Sequence, residues 1–151
     1  MKPTNYISTV LVGVIALAMV IGCSALGGGK VTREQLHSDI KVQNLTSPNG
    51  DWRFKEAQAI CFTVDDKEVK YTDTEAVIPL EIASWKTMAL GTVPVFTWIT
   101  GTMTMKYKKD GEKWLVDSAD GSGVKYGTKS GDGTEEVAMD FMNKHVTSAC
   151  R

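Results

Sequence analysis

The stretch TMALGTVPVFTWITGTMTM fills residues 87–105 and decides how the chain folds. Its nineteen residues carry no charge, so by length alone it could cross a membrane as a helix. Two glycines, one proline and six threonines favour a different structure, because threonine prefers strands while glycine and proline interrupt helices. Residues 102–107 alternate polar and apolar side chains, which is the period of a strand. We therefore predict a loop over residues 89–94 and a strand over residues 95–108 that bends at Gly101, with a membrane span as the alternative.

The residues after this stretch predict a hairpin, a loop and a helix. Asp110-Gly111 supplies turn chemistry within residues 109–112, and residues 114–118 fit the returning strand. Residues 119–133 are rich in Gly, Ser, Asp and Lys without an apolar period, so they predict a long surface loop. Thr134 then fits the N-cap of a helix that carries two glutamates in its first turn. Its packing face would comprise Val137, Phe141, His145 and Ala149, with Ala138, Met142 and Val146 beside them.

The residues before the stretch predict another helix. Thr32 and Gln35 have the spacing of a capping box, and the apolar period continues to about Leu45. Ser47-Pro48-Asn49-Gly50 would end this helix, because all four residues favour turns.

Two further strands are predicted between that helix and the uncharged stretch. Residues 56–64 alternate, and residues 75–87 do the same with Pro79 at a sheet edge or a bulge. The expected fold class is therefore α+β, a small antiparallel β-sheet with an N-terminal and a C-terminal helix in one domain over residues 31–151. This order of elements resembles cystatin-like and NTF2-like folds, and a resemblance of element order implies no function.

The first thirty residues have the layout of an export signal. Met1-Lys2 gives a positive start, and residues 10–22 form an uncharged apolar run. At its end Val20-Ile21-Gly22-Cys23 resembles the lipobox of bacterial lipoproteins. An uncleaved inner-membrane signal anchor over residues 7–26 is the alternative, since about 20 apolar residues span a bilayer.

The lipobox resemblance implies a sequence of processing steps. Residues 1–22 would be removed as a signal peptide, and the thiol of Cys23 would carry diacylglycerol. An acyl chain such as palmitate would modify its new amino group. Ser24 in the next position implies outer-membrane sorting, with the domain facing the periplasm. Residues 23–30, which contain three consecutive glycines, would form a flexible tether.

Three cysteines are present, and two remain if Cys23 carries lipid. In an exported protein such a pair usually forms a disulfide, so we expect Cys61 to bond to Cys150. Two free thiols are the alternative.

Composition and motifs exclude several classes of function. The 151 residues carry a net charge of −1, which gives no basic footprint for nucleic acid. The sequence holds no G-x-S-x-G nucleophile elbow, no zinc-protease motif and no phosphate-loop motif. His37 and His145 lie on helices with no neighbouring nucleophile, so we predict no catalytic residue, no metal site and no cofactor.

The uncharged region offers the best candidate for a contact with a partner. If its turn is exposed, it forms an apolar patch suited to an envelope protein or to lipid. The alternative is that a helix covers one face and the turn folds back. We expect a non-enzymatic, lipid-anchored envelope protein with a binding or assembly role. The alternative is a periplasmic small-ligand-binding or enzyme-inhibitor module. An NTF2-like enzyme ranks below both. The predicted contact residues are Trp85, Met88, Leu90, Phe96 and Trp98.

Overall fold

The structure is a computed structural model, and it describes residues 29–47, 50–146 and 150. The predicted signal peptide, the lipobox-like residues with Cys23 and all but the end of the predicted tether lie outside the described residues.

Within the described residues, two α-helices, one 3-10 turn and seven strands follow one another. Their order is α1 (Arg33–Lys41), β1 (Asn44–Ser47), β2 (Gly50–Arg53), the 3-10 turn (Phe54–Glu56), β3 (Ala59–Val64), β4 (Lys70–Tyr71), β5 (Glu75–Leu90), β6 (Val93–Asp110), β7 (Lys113–Ser130) and α2 (Thr134–His145).

The main sheet is antiparallel throughout. Its strands lie in the order β3-β5-β6-β7, and the short β4 pairs with β5 further along. Turns of two residues join β5 to β6 and β6 to β7, and each turn begins with a glycine of positive φ, Gly91 (φ 64°) and Gly111 (φ 60°). Residues 87–105 therefore lie in β5, β6 and the turn between them. Neither helix in the described part of the chain is long and apolar enough to cross a bilayer.

The sheet has two faces, and different elements cover them. The helix α1 and the β1–β2 hairpin cover the first face, where the larger apolar core includes Ile40, Trp52, Ile82, Ile99, Met103, Met105 and Tyr107. The helix α2 covers part of the second face, where Phe141 and Ala138 pack on Trp85, Phe96 and Ala83. The coarse prediction of an α+β domain, with an antiparallel sheet between two helices, is confirmed.

The start of α1 agrees with the prediction, and its end does not. Thr32 is the N-cap, and its Oγ1 accepts a hydrogen bond from the Gln35 N–H at 3.1 Å. The helix ends at Lys41, and Leu45 lies in β1, where it pairs with Trp52 of β2. Leu45 is buried in the core as a residue of the β1–β2 hairpin. Its apolar side chain has the spacing that would continue the helix, which is why the sequence predicted a longer helix.

The predicted loop over residues 119–133 is wrong over most of its length, because β7 continues to Ser130. This part of β7 shows no apolar alternation because glycines stand at positions where other strands carry apolar side chains. The indole of Trp98 lies where a side chain at Gly127 would stand, and the methyl groups of Leu45 occupy that space at Gly121. Neighbouring elements thus supply the apolar groups that β7 lacks.

Other predicted boundaries shift by a few residues. The loop over residues 89–94 shrinks to a two-residue turn, because β5 extends to Leu90. Gly133, not Thr134, is the N-cap of α2, and the Thr134 hydroxyl donates instead to the Gly131 carbonyl at 2.6 Å. Pro79 lies between the parts of β5 that pair with β3 and with β4, where a missing N–H costs no strand pairing.

Candidate functional site

The sheet narrows at the end that carries the β5–β6 turn. Pairing between β3 and β5 ends at Ala59 and Trp85, beside a hydrogen bond of 2.8 Å from the Gln58 N–H to the Trp85 carbonyl. Beyond Trp85, β5 pairs with β6 alone among the described strands. We call residues 87–94 the distal tip and residues 110–113, at the β6–β7 turn, the proximal tip.

The distal tip is apolar, uncharged and exposed. Met88 is 42% exposed, Leu90 66% and Val93 43%. The nearest charge along β5 is Lys86, whose Nζ lies 3.1 Å from the Glu56 carboxylate and 5.3 Å from the ring centre of Trp52. The hydrogen bond from Lys86 holds the pKa of the Glu56 carboxyl below its usual value. The cation at the base of the tip is therefore already paired.

The structure divides the predicted contact residues into two groups. Met88 and Leu90 lie on the surface of the distal tip, whereas Trp85, Phe96 and Trp98 form its base under α2. Their ring centres lie 5.8, 5.5 and 5.9 Å from that of Phe141. Val93 belongs to the exposed group as well, and its place in the uncharged stretch beside Gly91 was the sequence signal for it.

A disulfide holds α2 on this base. Cys61 of β3 bonds to Cys150, which follows α2, and the two residues also form an isolated antiparallel bridge. The predicted pairing of these cysteines is thus present, and it fixes the segment after α2 to β3.

The described chain begins at the opposite end of the sheet. The Trp114 indole N–H, next to the proximal tip, donates to the Gly29 carbonyl at 2.6 Å. The Val31 N–H donates to the Tyr71 hydroxyl at 3.0 Å, which holds the following residues on the same end. Between the two tips β6 runs for 18 residues, or about 55 Å at the usual rise of a strand.

A hollow of about 410 Å³ opens on the second face, beside the end of α2. Polar and charged groups of both signs line it, including Thr63, Glu81, Thr100, Lys125 and His145. Desolvation, and then the nearby Lys144, lower the pKa of the His145 imidazole, so it is neutral at pH 7. This hollow could not be predicted from the sequence, since its lining residues come from five different elements.

Other chemistry-bearing groups are scattered. The described residues contain no cluster of three or more His, Cys, Asp or Glu that could hold a metal ion. Burial, reinforced by the Asp39 carboxylate, raises the pKa of the Tyr107 hydroxyl, which therefore keeps its proton. These positions leave the distal tip as the surface with the clearest binding chemistry.

Comparisons of the chain with protein-family models, curated proteins and solved structures found no match.

Proposed function

We propose that this chain is a lipid-anchored protein of the bacterial cell envelope with a non-enzymatic binding or assembly role. In this proposal residues 1–22 are a signal peptide, and Cys23 carries the lipid in the outer membrane, facing the periplasm. The distal tip then binds another envelope protein. The proximal tip faces the membrane.

The observation that carries the proposal is the position of Gly29 relative to the distal tip. Six peptide steps separate Cys23 from Gly29, and they span at most about 20 Å. Gly29 lies at the proximal end, and β6 extends about 55 Å from there. A chain anchored at Cys23 can therefore hold its distal tip up to about 75 Å from the lipid.

This separation favours a protein partner over the anchoring bilayer. Met88, Leu90 and Val93 form an apolar contact surface, and a bilayer reached through Cys23 lies at the other end of the domain. The aromatic base under α2 supports the tip from behind, which lowers the entropic cost of binding. Apolar contact surfaces are typical of the centre of protein interfaces.

Intact mass spectrometry of the protein extracted from bacterial membranes tests the anchor. We expect a chain that begins at acylated Cys23, with two thiols appearing only after reduction. The variant Cys23→Ala should leave the membrane fraction or accumulate as a precursor. A full-length, unacylated mass from the native sequence would contradict the anchor.

Site-specific photo-crosslinking in the envelope tests the contact. A crosslinking residue at Leu90 should form an adduct with a specific protein, while the same residue at Glu112 of the proximal tip should not form that adduct. Leu90→Lys should abolish the complex and leave the melting temperature nearly unchanged, because this side chain is 66% exposed. Equal adducts from both positions would contradict a distal contact.

The hollow beside α2 supports a second candidate, a small-ligand module. Its lining of Lys125, His145 and Glu81 suits a small polar molecule, and a cystatin-like or NTF2-like arrangement would place such a site on the sheet. Melting temperatures measured across a panel of small polar metabolites would test it, since a ligand that binds the folded state raises the melting temperature. A shift lost in Lys125→Ala but kept in Leu90→Lys would favour this candidate.

A further inference from the structure

The strand edge beside the distal tip has backbone groups that no described strand pairs. In an antiparallel sheet, alternate residues of a strand direct both their N–H and C=O to the same neighbour. The carbonyl of Trp85 points towards β3, because it accepts from Gln58. Leu90 and Val93 flank the two-residue turn and pair with each other. The N–H and C=O groups of Thr87 and Ala89 therefore point outwards, past the end of β3.

The opposite edge of the sheet is built differently. There β7 pairs with β6 alone among the strands that the structure describes, and the pairing register shifts at two bulges or irregularities. It also carries Lys113, Asp117, Asp120, Lys125 and Lys129. Bulges and charges are the features by which proteins keep exposed edges from pairing with other strands. Residues 87–90 have neither, and all four are exposed.

We propose that the edge of β5 at residues 87–90 binds an extended segment of the envelope partner, which adds a strand to the sheet. This inference rests on the proposed function. Recognition by strand addition takes its affinity from main-chain hydrogen bonds and its selectivity from alternate side chains. Met88 and Leu90 lie on the first face and are exposed, whereas Thr87 and Ala89 offer small side chains on the second. The bound segment is therefore uncharged, with apolar residues on the first face.

A second copy of this chain does not fit the same edge. Copies anchored in one membrane present their distal tips in the same direction, whereas antiparallel pairing of two β5 edges needs opposite directions. A two-fold axis parallel to the strands would make the two β5 strands parallel. The N–H of each Thr87 would then face the Thr87 N–H of the other copy, and two donors cannot form a hydrogen bond. The partner strand comes from a different protein.

Amide hydrogen exchange with a defined peptide tests the proposal on the full chain. The probe is a blocked octapeptide that alternates Thr and Val, and its control replaces each Val with Lys. With the neutral peptide, we expect exchange at Thr87 and Ala89 to slow about tenfold, with little change at Met88 and Leu90, whose amides already bond to β6. The lysine peptide should have no effect. Absence of this alternating protection at millimolar neutral peptide would overturn the proposal, as would slow exchange at Thr87 and Ala89 before any peptide is added.

Two variants at one position separate strand addition from other modes of contact. Ala89→Pro removes an outward N–H without touching the bonds to β6, and Ala89→Ser keeps that N–H at similar size. We expect the proline variant to lose both the peptide protection at Thr87 and the crosslink from Leu90, while the serine variant keeps both. Thr87→Lys, which leaves the backbone intact and adds a charge beside the edge, should weaken both signals even if the proline disturbs the turn.

The outcomes distinguish the two proposals. A crosslink from Leu90 that survives in Ala89→Pro and Thr87→Lys would leave the proposed function standing and overturn strand addition. If the unmodified chain forms no crosslink but the peptide still protects Thr87 and Ala89, the proposed protein partner would be contradicted. The inference that the edge of β5 can accept a strand would stand. A dimer that forms through residues 87–90 in sedimentation would overturn the choice of occupant.

Discussion

The distal and proximal tips of the sheet share one backbone design and differ in chemistry. Each is a two-residue turn whose first residue is a glycine of positive φ, and a side chain built at either glycine would meet nothing within 4 Å. The proximal turn lies between Asp110 and Lys113, whereas the distal turn lies between Leu90 and Val93. The positive φ of each turn is supplied by its glycine, so the turn places no requirement on the chemistry of the flanking side chains. The difference between the tips therefore lies in the flanking side chains, which are charged at the proximal turn and apolar at the distal turn.

Removing the aromatic support of the distal tip should lower the stability more than any other change described below. Phe141→Ala deletes the ring that packs on Trp85, Phe96 and Trp98, so the free energy of unfolding should fall by about 3–5 kcal/mol. Denaturant unfolding measures the loss, and hydrogen exchange should accelerate at the distal end before the proximal end. Met139→Ala, on the exposed side of the same helix, is the matched control and should change stability by less than about 0.5 kcal/mol. Uniform acceleration along β6 would contradict separate support of the two ends.

Loss of the disulfide should act on the same end. The double variant Cys61→Ser and Cys150→Ser reopens a link between residues 89 apart, and we expect a loss of about 2–4 kcal/mol in the free energy of unfolding. The change should appear as faster exchange in α2 and the aromatic base, with α1 unaffected. Reducing agent added to the native protein is the parallel measurement. Equal destabilisation of α1 would show that the link supports the whole domain.

A pair of glycine substitutions tests whether the two turns are equivalent. Gly91→Ala and Gly111→Ala each place a side chain in the left-handed region, so each should cost about 1–2 kcal/mol. We expect the two losses in chemical denaturation to agree within about 0.5 kcal/mol. Thr92→Ala, at the second position of the distal turn, is the control and should be nearly neutral. A loss of stability at only one of the two glycines would show that the two turns are not equivalent.

The smallest effect concerns pH. Because burial and Lys144 lower the pKa of His145 in the folded state, folding favours the neutral imidazole. This contribution to stability is fully present above the ordinary pKa of histidine and is lost as the pH falls through the lowered value. The His145 ring centre lies 4.6 Å from that of Phe141, so acid should loosen the distal support first. Titration of His145 by NMR measures the shift, His145→Gln should remove this pH dependence, and a pKa at or above the ordinary value would contradict the argument.

The sequence predicted those parts of the fold that depend on local signals. Residues close together in sequence determine four of these features: the cap at Thr32, the alternation in β3 and β5, the turn at Gly111 and the apolar face of α2. The second half of β7 was missed because its glycines make sense only beneath side chains from distant elements, such as Trp98.

The arrangement of the candidate contact residues could be predicted only in part. Absence of charge identified the region of Met88 and Leu90, but alternation alone could not say that Phe96 would face α2. The open backbone at Thr87 and Ala89 depends on where β3 ends, which is a property of the pairing and not of those residues. The disulfide was predictable because the number of cysteines and the expected export of the chain limited the choices.

The two short turns also shape the route by which the chain folds. The three long strands follow one another in sequence, so their pairing can start at either turn and extend one residue pair at a time. Cys61 and Cys150, by contrast, meet only after the whole meander has been synthesised and α2 has settled on it. We therefore expect oxidation of these thiols to be the last event of maturation. If the chain is exported as proposed, most of its sheet would already have formed before an oxidant closes the disulfide.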